Sequence, residues 1–88
     1  MTDDPSLLEF PCDFPIKAMG RSDNDFDALV VEIIRKHCPD LLEGAVKSRL
    51  SREGNYVSVT VTIQARSRNQ LDDIYMDLSA HERVLMAL

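Results

Sequence analysis

The sequence predicts an α+β domain whose elements follow the order strand, helix, strand, strand, helix, strand. Two segments place apolar residues at the three- and four-residue spacing of an amphipathic helix, and four segments alternate apolar and polar residues as strands do. Isolated glycines, prolines and short polar runs separate these segments. A chain of 88 residues supports one hydrophobic core, so we expect a single domain over residues 1–88.

The first strand and the first helix follow an acidic lead. Residues 1–12 include two prolines and are expected to form a flexible N-terminal lead. From Phe14 to Gly20 apolar and polar residues alternate, which predicts a strand with one buried face. A helix of three to four turns is predicted next, ending before Pro39. Its apolar stripe consists of Phe26, Leu29, Val30, Ile33 and Ile34.

The second and third strands are expected to form a hairpin. Over residues 45–51, Val46 and Leu50 alternate with basic and hydroxyl side chains, and residues 56–65 alternate almost without interruption. The apolar face of the third strand consists of Val57, Val59, Val61, Ile63 and Ala65. The loop between the two segments contains Gly54, which suits a short hairpin connection.

The second helix and a last strand complete the chain. Ser67 is followed three residues later by Gln70, which is the capping-box pattern that begins a helix. The apolar stripe of this helix consists of Leu71, Ile74, Tyr75 and Leu78. The final strand alternates Val84, Met86 and Leu88 with Arg83, Leu85 and Ala87.

This order of elements is that of a ferredoxin-like βαββαβ fold, in which two helices cover one face of a four-stranded antiparallel sheet. Right-handed crossovers favour the spatial strand order four, one, three, two. No further segment is left to cover the opposite face of the sheet. That face is predicted to carry Lys17, Met19, Lys47, Arg49, Ser58, Thr60, Thr62, Gln64 and Leu85.

The candidate binding residues lie on this uncovered face and in the loop after the first strand. They are Lys17, Lys47, Arg49, Thr60 and Thr62 on the face and Gly20 in the loop. Residues 44–66 contain four basic residues and one acidic residue, a local charge of +3 in a chain of net charge −5. The face therefore suits an anion or an acidic protein. The alternatives are a solvated face that is polar without any binding role and, for the glycine, a turn that requires a positive φ.

The overall charge and the cysteines limit the classes of function. A net charge of −5 and a pI of about 4.8 oppose a broad phosphate-binding surface, because such surfaces are built from clustered lysine and arginine. No apolar run is long enough to span a bilayer, and the acidic N-terminus does not resemble a signal peptide. We therefore expect a cytoplasmic protein without a membrane partner. Cys12 and Cys38 fit reduced thiols rather than a disulfide framework.

The residues that could carry chemistry do not form a recognisable catalytic, metal or cofactor motif. The candidate zinc ligands are Cys12, His37, Cys38 and His81. Their spacing is not that of a zinc site, and no third residue orients a cysteine–histidine pair as a nucleophile requires. The three glycines are isolated and form neither a phosphate loop nor a dinucleotide fingerprint. We therefore expect a non-enzymatic domain that holds no cofactor.

Nucleic-acid binding through the uncovered face is the alternative function. Domains with this order of elements bind RNA by stacking bases on aromatic residues of the central strands. Here those strands present serine, threonine, glutamine and lysine, and Tyr56 is the only aromatic residue in the hairpin strands. The sequence therefore disfavours a nucleic-acid partner.

Three stretches of the chain carry a family resemblance. Residues 7–20, which begin LLEFP and end KAMG, residues 54–63, GNYVSVTVTI, and residues 84–88, VLMAL, together resemble the YbeD-like family of small bacterial proteins. The resemblance implies a domain similar to ACT regulatory domains, a cytosolic location, and no catalytic residues to assign. Family members are often encoded near lipoate-synthesis enzymes, which implies a role beside protein lipoylation.

The resemblance to ACT domains also bears on ligands and assembly. In those domains small ligands bind near the loop after the first strand, and domains associate through sheet edges or faces. A ligand near Gly20 and a homodimer are the corresponding expectations for this chain. The predicted function is that of a regulatory or adaptor domain that binds a protein or a small metabolite.

Overall fold

A sheet and a layer of two helices make up the computed structural model, which describes residues 9–22 and 25–88. The elements are β1 (Cys12–Arg21), α1 (Phe26–Arg35), a short 3₁₀ helix (Glu43–Ala45), β2 (Val46–Leu50), β3 (Tyr56–Ala65), α2 (Arg68–Ala80) and β4 (Met86–Ala87). Within the described residues, four strands form one antiparallel sheet in the order β2-β3-β1-β4. The predicted ferredoxin-like fold and its strand order are confirmed.

The two central strands, β1 and β3, pair along their whole length. Their register runs from Cys12 beside Ala65 to Arg21 beside Tyr56. β1 therefore begins two residues before the predicted start at Phe14. Residues 1–8 of the predicted lead lie outside the described residues, and Phe10 packs against the core.

Both helices pack on the same face of the sheet and bury their apolar stripes there. The core residues from the helices are Phe26, Val30, Ile33, Ile34, Leu71, Ile74 and Leu78, and those from β1 and β3 are Ile16, Ala18, Val57, Val59, Val61, Ile63 and Ala65. Fully burying one such branched side chain stabilises the fold by roughly 1.5–3 kcal/mol. Leu29 and Tyr75 complete the predicted stripes but are only partly buried, because they lie at the margins of the helix layer.

The predicted capping pattern at the start of α2 is present and also joins the two helices. The Ser67 hydroxyl oxygen accepts the Gln70 backbone N–H at 3.1 Å, as an N-cap does. The Gln70 side-chain oxygen accepts the N–H of Arg66 at 2.7 Å, one residue before the position expected in a capping box. Its amide nitrogen donates to the carbonyl of His37, just beyond α1, at 3.0 Å. One glutamine side chain thus fixes the beginning of α2 against the end of α1.

The last strand departs from the predicted alternation. Val84 is buried, but Met86 and Leu88, predicted on the same face, are 51% and 62% exposed. The reason is a local β-bulge, since the Leu85 N–H donates to the Met19 carbonyl at 2.8 Å while Met86 is the register partner of Met19. Two residues of the last strand therefore oppose one residue of β1. The residues that follow the bulge consequently point to the face of the sheet opposite to the predicted one.

Gly20 lies inside β1 and is buried, which corrects the expectation of a turn with a positive φ. Among the described residues, Gly54 is the one glycine with a positive φ, of 77°. A Cβ atom at Gly20 would lie 2.7 Å from the carbonyl oxygen of Arg83 and would overlap the ring of Phe26. The absence of a side chain here is required by close packing of α1 on the sheet.

Candidate binding site on the open face of the sheet

The face of the sheet opposite the helices, called the open face below, is built from rows of side chains that cross the strands. One row follows directly from the registers, because Thr60 pairs with Lys17 on one side and with Lys47 on the other. Leu88 extends this row, since its backbone exchanges two hydrogen bonds with Lys17 at 2.7 and 3.0 Å. Adjacent strands lie roughly 4.8 Å apart, so the row joins two cations, a hydroxyl and an apolar side chain across the sheet.

A second row lies beside the first and is more apolar. Ser58 pairs with Met19 on one side and with Arg49 on the other, and Met19 pairs with Met86. The second row has one basic residue, Arg49 on β2, and its apolar residues are Met19 on β1 and Met86 on β4. The open face is therefore basic toward β2 and apolar toward β4.

Arg21 and Tyr56 form the end of the open face nearest the β2–β3 loop. They are register partners, and the guanidinium carbon of Arg21 lies 6.0 Å from the centre of the Tyr56 ring. This is the outer limit of a cation–π contact. The contact places the exposed Tyr56 ring beside Arg21 of the neighbouring strand β1.

The basic residues of the open face are available to a partner. In the described part of the chain, Lys17, Lys47 and Arg49 form no ion pair. The strand residue with an acidic side chain on this face is Asp13, which lies beside Gln64 at the far end of β1. The acidic residues of the described elements otherwise belong to the helices and loops, so the charge of −5 leaves this face locally positive.

The apolar side of the open face was not predicted as part of the site. Leu85, Met86 and Leu88 are all more than half exposed. The alternation assigned two of them to the core, and the bulge brings them to the surface. The available signal is that residues 84–88 are apolar without interruption, a pattern expected where both faces of a strand meet apolar surroundings.

The structure brings together most of the predicted binding residues. Lys17, Lys47 and Thr60 share one row, and Arg49 lies in the next. Thr62 lies on the other side of the first row, beside Pro15 of β1. Gly20 faces the helix layer beneath the Phe26 ring and is separate from this group. The predicted open face is thus one continuous patch, and the glycine belongs to another part of the molecule.

The thiol and imidazole groups do not form a reactive centre among the described residues. Burial raises the pKa of the Cys38 thiol above its usual value, and its sulfur accepts a hydrogen bond from the Gln70 amide at 3.3 Å. A thiol with a raised pKa stays protonated at neutral pH and is a poor nucleophile. His37 instead pairs with Asp77 at 2.6 Å, which joins the end of α1 to α2. No group of three metal-binding side chains occurs in residues 9–22 and 25–88.

A cavity of about 290 Å³ lies beside the Cys38 loop. It is lined by Asp13, Cys38, Asp40, Leu41, Leu42, Ala45, Thr62, Ile63 and Gln64. Asp40 is paired with Arg66 at 3.2 Å, so its charge is already compensated.

None of the helices in the described residues is both long and apolar enough to cross a membrane.

Comparison with known proteins gives one family model and several similar bacterial proteins. A family model described as "Protein of unknown function (DUF493)" matches residues 5–88. The UPF0250 protein NE1487 of Nitrosomonas europaea is 48% identical over 83 residues, which cover 94% of this chain and 95% of that protein. UPF0250 proteins of Paraburkholderia phytofirmans and Neisseria gonorrhoeae are 47% and 42% identical over 94% of the chain and over 93% and 91% of their own lengths.

The fold is also found in a solved structure. The solution structure of protein HP0495 from H. pylori has a TM-score of 0.70, at 15% identity, and the match covers 100% of this chain and 94% of that one. This likeness concerns the fold alone, whereas the sequence matches extend to the family. The chain belongs to the DUF493 family of UPF0250 proteins, which is the YbeD-like family that its sequence resembles.

Proposed function

We propose that this chain is a non-enzymatic regulatory or adaptor domain that binds an acidic protein surface through the open face of its sheet. The observation that carries the proposal is the row formed by Lys47, Thr60 and Lys17. Its two cations have no ion-pair partner in residues 9–22 and 25–88, and they flank a hydroxyl group. Exposed apolar side chains at Met86 and Leu88 lie at the end of the same two rows. Cations beside apolar groups suit a protein partner.

The two sides of the face contribute differently to binding. An exposed ion pair is worth about 0.2–1 kcal/mol and is screened by salt over roughly 8 Å at physiological ionic strength. Burying an exposed leucine or methionine contributes more, roughly 1.5–3 kcal/mol when it is complete. We therefore expect the basic side to guide and orient the partner, and the β4 side to supply most of the affinity.

A protein partner fits this face better than a nucleic acid or a small metabolite. Single-stranded nucleic acids need aromatic stacking platforms, and Tyr56, the aromatic residue of this face, is already beside Arg21. A small metabolite needs a concave site of roughly 300 Å³ or more. The concavity of the open face beside Met19, Arg49 and Ser58 has a volume of about 170 Å³. At Gly20, where the ACT resemblance implies a ligand, the Phe26 ring occupies the space.

The family resemblance suggests where to search for the partner. We propose that the domain works in the cytoplasm and that proteins concerned with lipoate attachment are the first candidates. This part of the proposal rests on the resemblance, and the open face does not depend on it.

The proposal is tested by reversing charge on the open face. The chain carrying Lys47→Glu and Arg49→Glu is used as bait in native cell extract, and recovered proteins are quantified by mass spectrometry. The matched control carries Arg52→Glu and Arg68→Glu, two exposed residues outside the strands, with the same change in net charge. Loss of partners with the first variant and retention with the second is expected. Unchanged recovery of partners with the first variant would rule out the open face as the binding surface.

The nucleic-acid alternative is tested separately with labelled single-stranded RNA at low salt, where phosphate contacts are strongest. The proposal predicts no binding above that of an acidic control protein. Binding that weakens steeply with salt and disappears with Lys47→Glu and Arg49→Glu would favour the alternative instead.

A further inference from the structure

β2 is an edge strand of the sheet formed by the described residues. Ser51 donates its N–H to the carbonyl of Tyr56 at 2.8 Å, and the register continues with Arg49 beside Ser58 and Lys47 beside Thr60. In an antiparallel pair the bonded residues alternate along the strand. The backbone N–H and C=O groups of Val46, Ser48 and Leu50 therefore point away from β3, and no described segment pairs with that side of β2.

The two faces of this edge differ in chemistry. On the open face β2 presents Lys47 and Arg49. On the helix side it presents Val46, Ser48 and Leu50, and Leu50 is 62% exposed because the helices cover β1 and β3 rather than the β2 edge. The surface between β2 and α1 is a groove.

This groove continues the apolar side of the β2 edge. Its volume is about 240 Å³, and it is lined by Asp27, Ala28, Val31, Arg35 and Val46. Ala28, Val31 and Val46 are its apolar lining residues, and Asp27 and Arg35 are charged. It therefore has room for apolar side chains that approach from beyond β2.

We propose that β2 accepts an extended segment of a partner protein as a fifth strand, and that this segment alternates acidic and apolar residues. Alternate side chains of an added strand point to opposite faces of the sheet. The acidic ones would lie beside Lys47 and Arg49, and the apolar ones would enter the groove between β2 and α1. The inference rests on the proposed function for its charge preference, and it adds a backbone pairing that the open face alone does not need.

A second copy of this chain fits the β2 edge poorly. Antiparallel pairing of two β2 strands centred on Ser48 would place Lys47 of each copy directly opposite Arg49 of the other. Like charges in directly opposed positions destabilise an antiparallel pair. In this register, which pairs β2 along its whole length, the edge therefore suits a segment of opposite charge better than a second copy.

The probe is a five-residue peptide, the length of β2, capped at both ends and alternating valine with glutamate at its second and fourth positions. Two control peptides are used, one with lysine in place of glutamate and one with N-methyl groups on the amides that face β2. Binding is followed by amide NMR titration and by hydrogen exchange of the labelled 88-residue chain. We expect new protection of the Ser48 and Leu50 amides, and binding about tenfold weaker for the lysine peptide.

The variant Ser48→Pro removes one outward N–H from the edge without removing a bond to β3. It should weaken binding of the glutamate peptide about tenfold, and Met76→Ala, an exposed residue of α2 in the helix layer, should weaken it little. If Ser48→Pro does not fold, the N-methylated peptide makes the same test on the native chain. Equal affinity of the N-methylated and unmodified peptides would overturn strand addition.

The location of the changes separates this inference from the proposed function. Chemical-shift changes at the Thr60, Thr62 and Leu88 amides, without protection of the Ser48 amide from hydrogen exchange, would refute binding at the β2 edge. They would leave binding at the open face supported. Protection of Ser48 before any peptide is added, together with a dimeric mass in sedimentation, would mean that a second copy occupies the edge and would also refute the inference. Failure of every peptide to bind would overturn it as well.

Discussion

Adding one methyl group at Gly20 should destabilise the domain measurably. The new Cβ atom would lie 2.7 Å from the carbonyl oxygen of Arg83 and would overlap the ring of Phe26, whose side chain is 1% exposed and has little room to move. Overpacking of this kind costs about 1–3 kcal/mol. Alanine also reduces the entropy of the unfolded chain, which offsets about 0.4–1 kcal/mol of this cost. The variant Gly20→Ala should therefore lose roughly 1–2 kcal/mol of unfolding free energy.

Urea denaturation followed by circular dichroism measures this loss, and for a domain of this size about 1 kcal/mol corresponds to a Tm shift of about 4–8 °C. Gly44→Ala is the matched control, because a Cβ atom there meets nothing within 4 Å. The double variant Gly20→Ala with Phe26→Leu should lose less than the sum of the two single changes, since the smaller side chain relieves the overlap. Equal stability of Gly20→Ala and Gly44→Ala would refute the packing explanation.

Three further outcomes follow from local contacts. In the native protein a thiol reagent at mildly alkaline pH should label Cys12 rapidly and Cys38 slowly, because burial raises the pKa of the latter, and equal rates would contradict that burial. Arg83 donates a hydrogen bond to Asp25 and lowers its pKa from 3.8, so this carboxylate stabilises the fold at neutral pH and loses that effect as the pH falls through the lowered value. Asp25→Asn should therefore be less stable than the wild type at about pH 7 and closer to it at about pH 2 in urea denaturation, and a difference independent of pH would argue against the pair. Ser67→Ala removes the N-cap of α2 and should cost about 0.5–2 kcal/mol by the same assay, whereas no loss would show that Gln70 alone holds the helix start.

The sequence predicted the architecture because its periodicities are locally complete. The uninterrupted alternation of residues 56–65 specifies the central strand β3, and its buried face is the one predicted. The stripe from Phe26 to Ile34 likewise specifies which side of α1 meets the sheet. Once two helices and four strands occur in this order, right-handed crossovers leave few arrangements, so the strand order could also be predicted.

The facing of the last strand and the role of Gly20 could not be predicted in the same way. The bulge at Leu85 depends on a hydrogen bond to Met19, which is distant in the sequence, and alternation alone carries no sign of it. Gly20 is constrained by the ring of Phe26, a contact that exists only after α1 packs on the sheet.

The candidate site was predicted in composition but not in arrangement. Polar and basic residues on alternate positions indicated an uncovered face, which the structure contains. The joining of Lys17, Thr60 and Lys47 in one row depends on the registers of β1 and β2 with β3, and these are set by the loops and by the packed core. On the apolar side of the face, Met19 and Leu85 were predicted, whereas Met86 and Leu88 reach it through the bulge.

The claim that the open face contacts a partner is tested most directly by the reactivity of the lysines. The chain has three, of which Lys17 and Lys47 lie on the open face and Lys36 caps the end of α1 in the helix layer. The three side chains are acetylated in the isolated chain and in the complex purified from native cells, and the extent of reaction is read by mass spectrometry. Binding through the open face predicts protection of Lys17 and Lys47 with Lys36 unchanged, and protection of Lys36 alone would contradict it.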